Sequence, residues 1–309
     1  SNKVYALKNV ILDEYELDML HIEKSEVFFV INPKAGSKKI DALIKSIIDT
    51  GMSYVITDNL LELDVIMSKE VNNYTVFVAV GGDGTVNTLA KYVFNKDDKA
   101  IAVLPTGSGN GFAYELGFAC DLEALIRHIT IGAIQKVDVL TINKSDFINI
   151  AGIGFDADVA HRFQKSKKRG LFYYILSSII SYIKFKPFRA TITTENRTIT
   201  DTFQMISIAN TRQFGNKAYI SPNSKPFDGQ YEIVAIKPIP LFQSFSFVYK
   251  LFSGPLLPSK YIKYIPCTAK ASIVTNCTKY HSDGNPKFSE GNFEIQIKKK
   301  SLNVIKTTV

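Results

Sequence analysis

The chain has 309 residues, 46% of them hydrophobic, enough apolar material for a sizeable core and for two domains rather than one. A formal charge of +8 favours an anionic partner, which could be nucleotide, nucleic acid or the face of a membrane. Three cysteines, Cys120, Cys267 and Cys277, without CxxC or Cys/His spacing, argue against a disulfide framework or a zinc site and fit a reducing, cytoplasmic setting. The chain begins Ser1-Asn2, read as a tag remnant outside the fold argument, and no signal-peptide apolar stretch follows.

From Val27 to about Ile131, short apolar runs alternate with amphipathic ones. Strands are expected at Val27–Ile31, Ser53–Thr57, Tyr74–Val80 and Ala100–Leu104. Helices are expected at Lys38–Asp49, Leu60–Val71, Val86–Phe94 and Leu122–Ile131. Strands apolar on both faces and separated by helices predict an α/β unit with a parallel sheet. After Gln135 the pattern turns β-rich, with strands expected at Val137–Ile142, Phe147–Ala151, Ala190–Thr194, Met205–Ala209, Tyr231–Ile236, Ala271–Thr275 and Phe293–Ile297. A largely antiparallel second domain follows. The boundary near Gly132–Lys136 has no long linker, so the two units should abut across a cleft suited to a substrate.

Three turns carry the chemistry. Asn32-Pro33-Lys34-Ala35-Gly36-Ser37-Lys38-Lys39 lies between a strand end and a helix start, where Ser37 can cap the helix and main-chain N–H groups with Lys38 would face a phosphate. Taken alone it is equally an ordinary βα turn with solvated lysines. Gly81-Gly82-Asp83-Gly84-Thr85 follows the next strand, and its glycines allow close approach of main chain to a polyphosphate. Asp83 is the only acid there, placed to hold Mg²⁺ or to accept a proton from an attacking hydroxyl. Leu104-Pro105-Thr106-Gly107-Ser108-Gly109-Asn110-Gly111 again follows a strand and offers hydroxyl and amide contacts from Thr106, Ser108 and Asn110. No Gly-Lys-Ser/Thr closes either loop, so neither is a Walker A motif.

NPKAG, GGDGT and PTGSGNGFA, in that order, resemble the three N-terminal signatures of the diacylglycerol kinase catalytic family, which includes sphingosine and bacterial lipid kinases. Val137-Asp138, Gly152-Ile153-Gly154-Phe155-Asp156, Ile206-Ser207-Ile208-Ala209-Asn210 and Ser221-Pro222 with Phe227-Asp228-Gly229 extend the likeness from Val27 to the C-terminus. The resemblance implies an α/β domain at 1–134, rejoined by residues 298–309 through a strand near Ser301–Lys306, and an antiparallel β-sandwich lipid-substrate domain at 135–297. ATP would lie between them with Mg²⁺. It implies that Asp83 is an essential acid of phosphoryl transfer, and that Asn32, Lys38, Gly81, Gly82, Gly84, Thr85, Thr106, Gly107, Ser108 and Asn110 form the nucleotide site. Asp138 would support that site, and Asp228 would belong to a metal-linked loop. Two departures stand out. Gly111 follows Asn110 where bacterial members commonly have Asp, and Ser282-Asp283-Gly284-Asn285 replaces an Asp-Gly-Glu run whose carboxylate is the proposed base. An amide cannot serve as a general base, so Asp83 or Asp283 takes that task or the protein is impaired as a kinase.

Lys165, Lys167, Lys168 and Arg169 precede the apolar run Leu171–Ile183, which Lys184, Lys186 and Arg189 follow. The run is too short to span a bilayer and fits either a helix on an anionic membrane surface or a packed helix with basic ends. Leu241–Phe252 is a second such segment. The dispersed histidines, His281 beside the Asp283 turn included, read as structural. The leading reading is an ATP-dependent lipid kinase with a lipid substrate and peripheral membrane contact; a homodimer is one admissible assembly. An NAD kinase and a catalytically silent lipid- or nucleotide-binding protein are the alternatives. No nucleic-acid recognition motif is present.

Overall fold

In the computed structural model the described residues are 18–35, 40–165, 182, 184–254 and 256–307. Lys38 lies outside them, and so does the basic and apolar run at 167–183 except for Tyr182.

The first half runs β1 (Asp18–Met19), β2 (Val27–Ile31), α1 (Ile40–Asp49), β3 (Ser53–Ile56), α2 (Leu60–Glu70), β4 (Val76–Gly81), α3 (Asp83–Val93), β5 (Ala100–Pro105), α4 (Gly111–Glu115) and α5 (Leu122–Ile131). β2, β4 and β5 are buried along their whole length, as strands covered on both faces must be. They pair in parallel in the order β5-β4-β2-β3. Val86, Leu89, Ala90 and Val93 of α3 repeat at helical spacing and face this core. α3 begins three residues earlier than the expected Val86. Asp83 and Gly84 read as loop residues, but an acid in the first helical turn is favoured by the helix dipole, and Gly82 precedes it in extended conformation.

The second half runs β6 (Ala133–Ile142), β7 (Ser145–Phe147), β8 (Ile150–Gly154), α6 (Phe155–Lys165), β9 (Phe188–Thr193), β10 (Thr198–Phe203), β11 (Met205–Ala209), β12 (Tyr231–Ile236), α7 (Leu241–Ser253), β13 (Ile262–Cys267), β14 (Ala271–Thr275), β15 (Lys279–Ser282), β16 (Asn285–Phe288) and β17 (Asn292–Ile305). β13, β12, β11, β8, β15 and β16 form an antiparallel sheet in that order. β10, β9, β14, β17, β6 and β7 belong to the large sheet, and Ile192, Ile273 and Ile295 from it meet Ile153, Ile206 and Ile233 of the smaller sheet in a shared core. That is a sandwich.

β17 joins the two halves. Its start pairs antiparallel with β14, and its end reaches β5, where Val304 lies opposite Ile101 in parallel register. The strand expected near Ser301–Lys306 is thus the far end of one 14-residue strand, with a register shift between Lys298 and Leu302. β6 behaves likewise: Val137 and Val139 belong to the first core, Leu140 and Ile142 to the second. The division between the halves therefore crosses two strands, which makes the connection stiff where a linker would make it loose.

Candidate functional site

β2, β4 and β5 end side by side, so the three turns that follow them are neighbours. The Asn32 N–H donates to the Val80 carbonyl at 3.0 Å, and the Thr106 N–H donates to the Gly81 carbonyl at 2.9 Å. The Thr106 hydroxyl reaches the first turn, donating to the Ala35 carbonyl at 2.8 Å. Asn32 uses its side-chain oxygen locally, accepting the Lys34 N–H at 3.0 Å, and the Lys34 ammonium pairs with Asp58.

Glycine is required at two of these contacts. A Cβ on Gly107 would fall 2.6 Å from the Cα of Gly82, and one on Gly81 would fall 2.3 Å from the Thr85 hydroxyl oxygen. Gly84 differs. No atom lies within 4 Å of where its Cβ would point, so the protein itself leaves that space open. Ser108 of the third turn is exposed. Asn110 is buried in a left-handed conformation, its amide NH₂ donating to the Gly107 carbonyl at 2.7 Å. Its Oδ1 is buried without a hydrogen-bond partner among the described residues and lies toward Gly107 and Gly82. A buried acceptor of this kind calls for a donor, which a ligand hydroxyl or amino group would supply.

Asp83 ties the second turn to the third. Its two oxygens accept the N–H groups of Gly111 and Phe112, both at 3.2 Å, and so cap α4 from a distant strand end. Burial pushes its carboxyl above the usual range, against the opposing pull of the Phe112, Gly111 and Asn110 amides. Asp283 does the corresponding work from the second domain. It and Gly284, both with positive φ, form the two-residue turn of the β15–β16 hairpin. Its carboxylate accepts the N–H groups of Ile148, Asn149 and Ile150 at 2.9, 2.9 and 3.0 Å. Ile148 and Asn149 lie between the strands, so the single strand expected at Phe147–Ala151 is broken into β7 and β8. Burial lifts Asp283 to about 6, against its three amides and with the charge of Asp83 adding to the rise. The two carboxylates are close enough to feel each other, and the Asn149 side chain packs against Gly111 between them.

Residues 26–142 match the model of the diacylglycerol kinase catalytic domain, and residues 149–306 match that of the YegS C-terminal NAD kinase beta sandwich-like domain. The chain belongs to this diacylglycerol kinase and YegS-like lipid kinase family. A protein of Klebsiella pneumoniae named "Probable lipid kinase YegS-like" is 30% identical over 161 residues, 51% of this chain and 54% of that protein. The chain thus spans about half the length of such curated relatives. A diacylglycerol kinase structure from Bacillus anthracis superposes with a TM-score of 0.71 at 17% identity, over 91% of this chain and 97% of that one. An NAD kinase from Archaeoglobus fulgidus, solved in complex with ATP, superposes at 0.54 with 12% identity, over 91% and 94%. Both likenesses concern the fold.

Within this family frame the other expected residues divide. Thr85 is buried against Gly81. Asp138 is fully buried, and its two oxygens accept the Gly229 and Lys300 N–H groups, each at 2.7 Å. It braces the 226–229 turn against β17, and neither oxygen has a partner in the three turns among the described residues. Burial raises its carboxyl, against those amides and with the Asp228 charge adding. Asp228 is exposed and accepts the Gln230 N–H at 3.0 Å. No three His, Cys, Asp or Glu side chains gather among the described residues.

Two participants escaped the sequence reading. Lys287 on β16 sits partly buried near Asp283, its ammonium pushed below the usual range by burial and by the neighbouring Lys91 of α3. Asp283 and Asp146 act on the same ammonium in the opposite sense, so Lys287 sits among charges of both signs. Arg212 crosses to the first domain, its Nε donating to Glu115 of α4 at 2.8 Å. Lone lysines and arginines carry no spacing signal, so only the fold could find them. Asn285 is exposed at the start of β16, with no carboxylate to offer.

Proposed function

We propose that the chain transfers the γ-phosphoryl group of ATP to a lipid hydroxyl. The observation that carries this reading is the joining of three turns at adjacent parallel strand ends, with Asp83 linking the second to the third. Gly84 leaves room for phosphate oxygens to approach the start of α3, where main-chain N–H groups and the helix dipole favour negative charge. Asn110 Oδ1 accepts a donor from the nucleotide, while Thr106 and Ser108 line the third turn. Lys287 and Lys91 add positive charge. Magnesium, when bound, would neutralise phosphate oxygens.

Phosphoryl transfer asks the protein mainly for positioning and charge stabilisation. Asp83 fixes the relative placement of two turns, and Asp283 fixes the 148–150 segment of the second domain facing them. Their raised basicity suits a group that takes a proton from the acceptor hydroxyl at neutral pH better than an ordinary carboxylate would. Asp83 has the stronger case, since it lies in the second turn itself, next to the open space at Gly84.

The test is incubation of purified protein with Mg-ATP and dispersed diacylglycerol, sphingoid bases and glycerophospholipids, with NAD as a separate arm. The expected result is a phosphorylated lipid above an Asp83→Asn control. Phosphorylation of NAD alone, or of nothing, rejects the proposal. Asn285 favours one second reading, nucleotide binding without turnover, which gain of activity in Asn285→Glu would identify.

A further inference from the structure

The second domain carries an aromatic face that its own fold leaves uncovered. α7 buries Ser244 and turns Phe247 and Leu251 toward Ile220, Val234, Ile236 and Leu256 on the outer side of the six-stranded sheet. On the opposite side of the same helix, Phe242, Phe245, Val248 and Tyr249 fall on one stripe at helical spacing. They are 75%, 65%, 40% and 72% exposed. A surface helix ordinarily shows polar residues to water, so a stripe of this composition marks an interaction face.

The charge around it names the partner. No acidic residue occurs from Ile233 to Ser282, a stretch with six lysines. Lys250, Lys260 and Lys263 are exposed there. Lys184 and Lys186, also exposed, follow Tyr182, whose hydroxyl donates to the Ile239 carbonyl just before α7. A second copy of the chain across a two-fold axis would set these lysines against their equivalents, whereas an anionic bilayer would satisfy both the aromatics and the cations.

The C-terminal end of α7 opens on a cavity of ≈ 270 Å³ lined by Arg212, Tyr219, Pro222, Phe252, Ser253 and Gly254. The Arg212 guanidinium lies 5.8 Å from the Tyr219 ring centroid and is held through Nε by Glu115, whose side chain is only 5% exposed. Glu115 Oε2 is buried with no hydrogen-bond partner among the described residues. A buried acid thus fixes a half-exposed cation at the mouth of a partly aromatic cavity. The segment carrying Arg212 also touches the third glycine turn, where the Asn216 N–H donates to the Gly109 carbonyl at 3.1 Å.

We propose that the outer face of α7 docks on a bilayer containing anionic phospholipids, and that the Arg212 cavity at its end takes the phosphodiester of one such lipid. This rests on the lipid-kinase reading for its purpose, but vesicle binding needs no nucleotide, so the two fail separately. Guanidinium suits a phosphodiester because its planar fork donates two parallel hydrogen bonds.

The experiment is flotation of the full chain with phosphatidylcholine vesicles and with vesicles also containing phosphatidylglycerol, without ATP. Phosphorylation of detergent-dispersed lipid by wild type is scored separately. Affinity for the anionic vesicles should be about tenfold or more above that for neutral ones and should fall with added salt. Replacing Phe242, Phe245 and Tyr249 together by Ser should lower it about tenfold or more, with the thermal unfolding midpoint unchanged because these side chains are exposed. Arg212→Lys keeps a cation beside Glu115 and should narrow the anionic preference about threefold. Equal binding to both vesicles, no binding, or a triple variant that floats like wild type overturns the docking face. A triple variant that changes oligomeric state where wild type ignores vesicles assigns the face to a second copy instead. Arg212→Lys indistinguishable from wild type overturns the phosphodiester cavity.

Discussion

At the carboxyl edge of β2, β4 and β5 the chain meets its surroundings through main chain and glycine, whereas on α7 it does so through phenylalanine and tyrosine. The first surface works by close approach. A single methyl group on Gly107 would push two turns apart, and the loss should be abrupt. The second works by area, so it should weaken in steps as each ring is removed. On the proposed readings the difference would also separate the tasks of the two domains, a small charged ligand held in fixed geometry by one and an extended, deformable partner faced by the other.

Asp83→Asn should break the first surface most severely. The substituted amide turns an NH₂ toward an N–H that needs an acceptor, so α4 and the third turn lose their anchor. A fall in kcat of about 10²–10³ is expected, measured as phosphorylated lipid formed at saturating ATP. Next comes Asn285→Glu, which restores a carboxylate at the exposed start of β16. An increase in kcat of about tenfold, with the KM for ATP unmoved, would show that a missing base limits the wild type.

Gly107→Ala tests close approach itself. Overpacking against Gly82 should weaken nucleotide binding by about 1–3 kcal/mol, read by calorimetric titration. Gly84→Ala sharpens the same contrast, because its Cβ points into open space. Its unfolding free energy should stay within about 0.5 kcal/mol of wild type, and the damage should appear only in nucleotide affinity.

The gentlest perturbation is pH. Asp283 ionises in the folded protein at about 6 against an ordinary value of 3.8. The folded state therefore holds its proton longer than the unfolded state. Its contribution to stability is full below about 3.8, declines as pH rises toward 6, and is flat above. Unfolding titrations of wild type and Asp283→Asn across that window should show the slope in wild type and a reduced slope in the variant.

What the sequence discloses follows from the range of the interactions. β2, β4 and β5 are legible because a fully buried parallel strand must be apolar at every position, and the glycine turns are legible because they follow those strands directly. The start of α3 was displaced because Asp83 and Gly84 suit a loop and a first helical turn equally. The break between β7 and β8 is invisible locally: its cause, Asp283, lies over 130 positions away. β10, β13 and the β15–β16 hairpin escaped for another reason. Thr198–Phe203 and Lys279–Phe288 carry few apolar residues, and Pro266 interrupts the pattern of β13 near an edge. The pairing of Arg212 with Glu115 likewise joins residues that only the packed domains bring together.

The most direct measurement is a crystal structure of the complex with a non-hydrolysable ATP analogue. The account predicts phosphate oxygens within hydrogen-bond distance of main-chain N–H groups between Gly82 and Thr85 and around Thr106–Gly109, with Asp83 still bonded to Gly111 and Phe112. Phosphates bound away from these turns, or turns that separate with Asp83 released from α4, would contradict it.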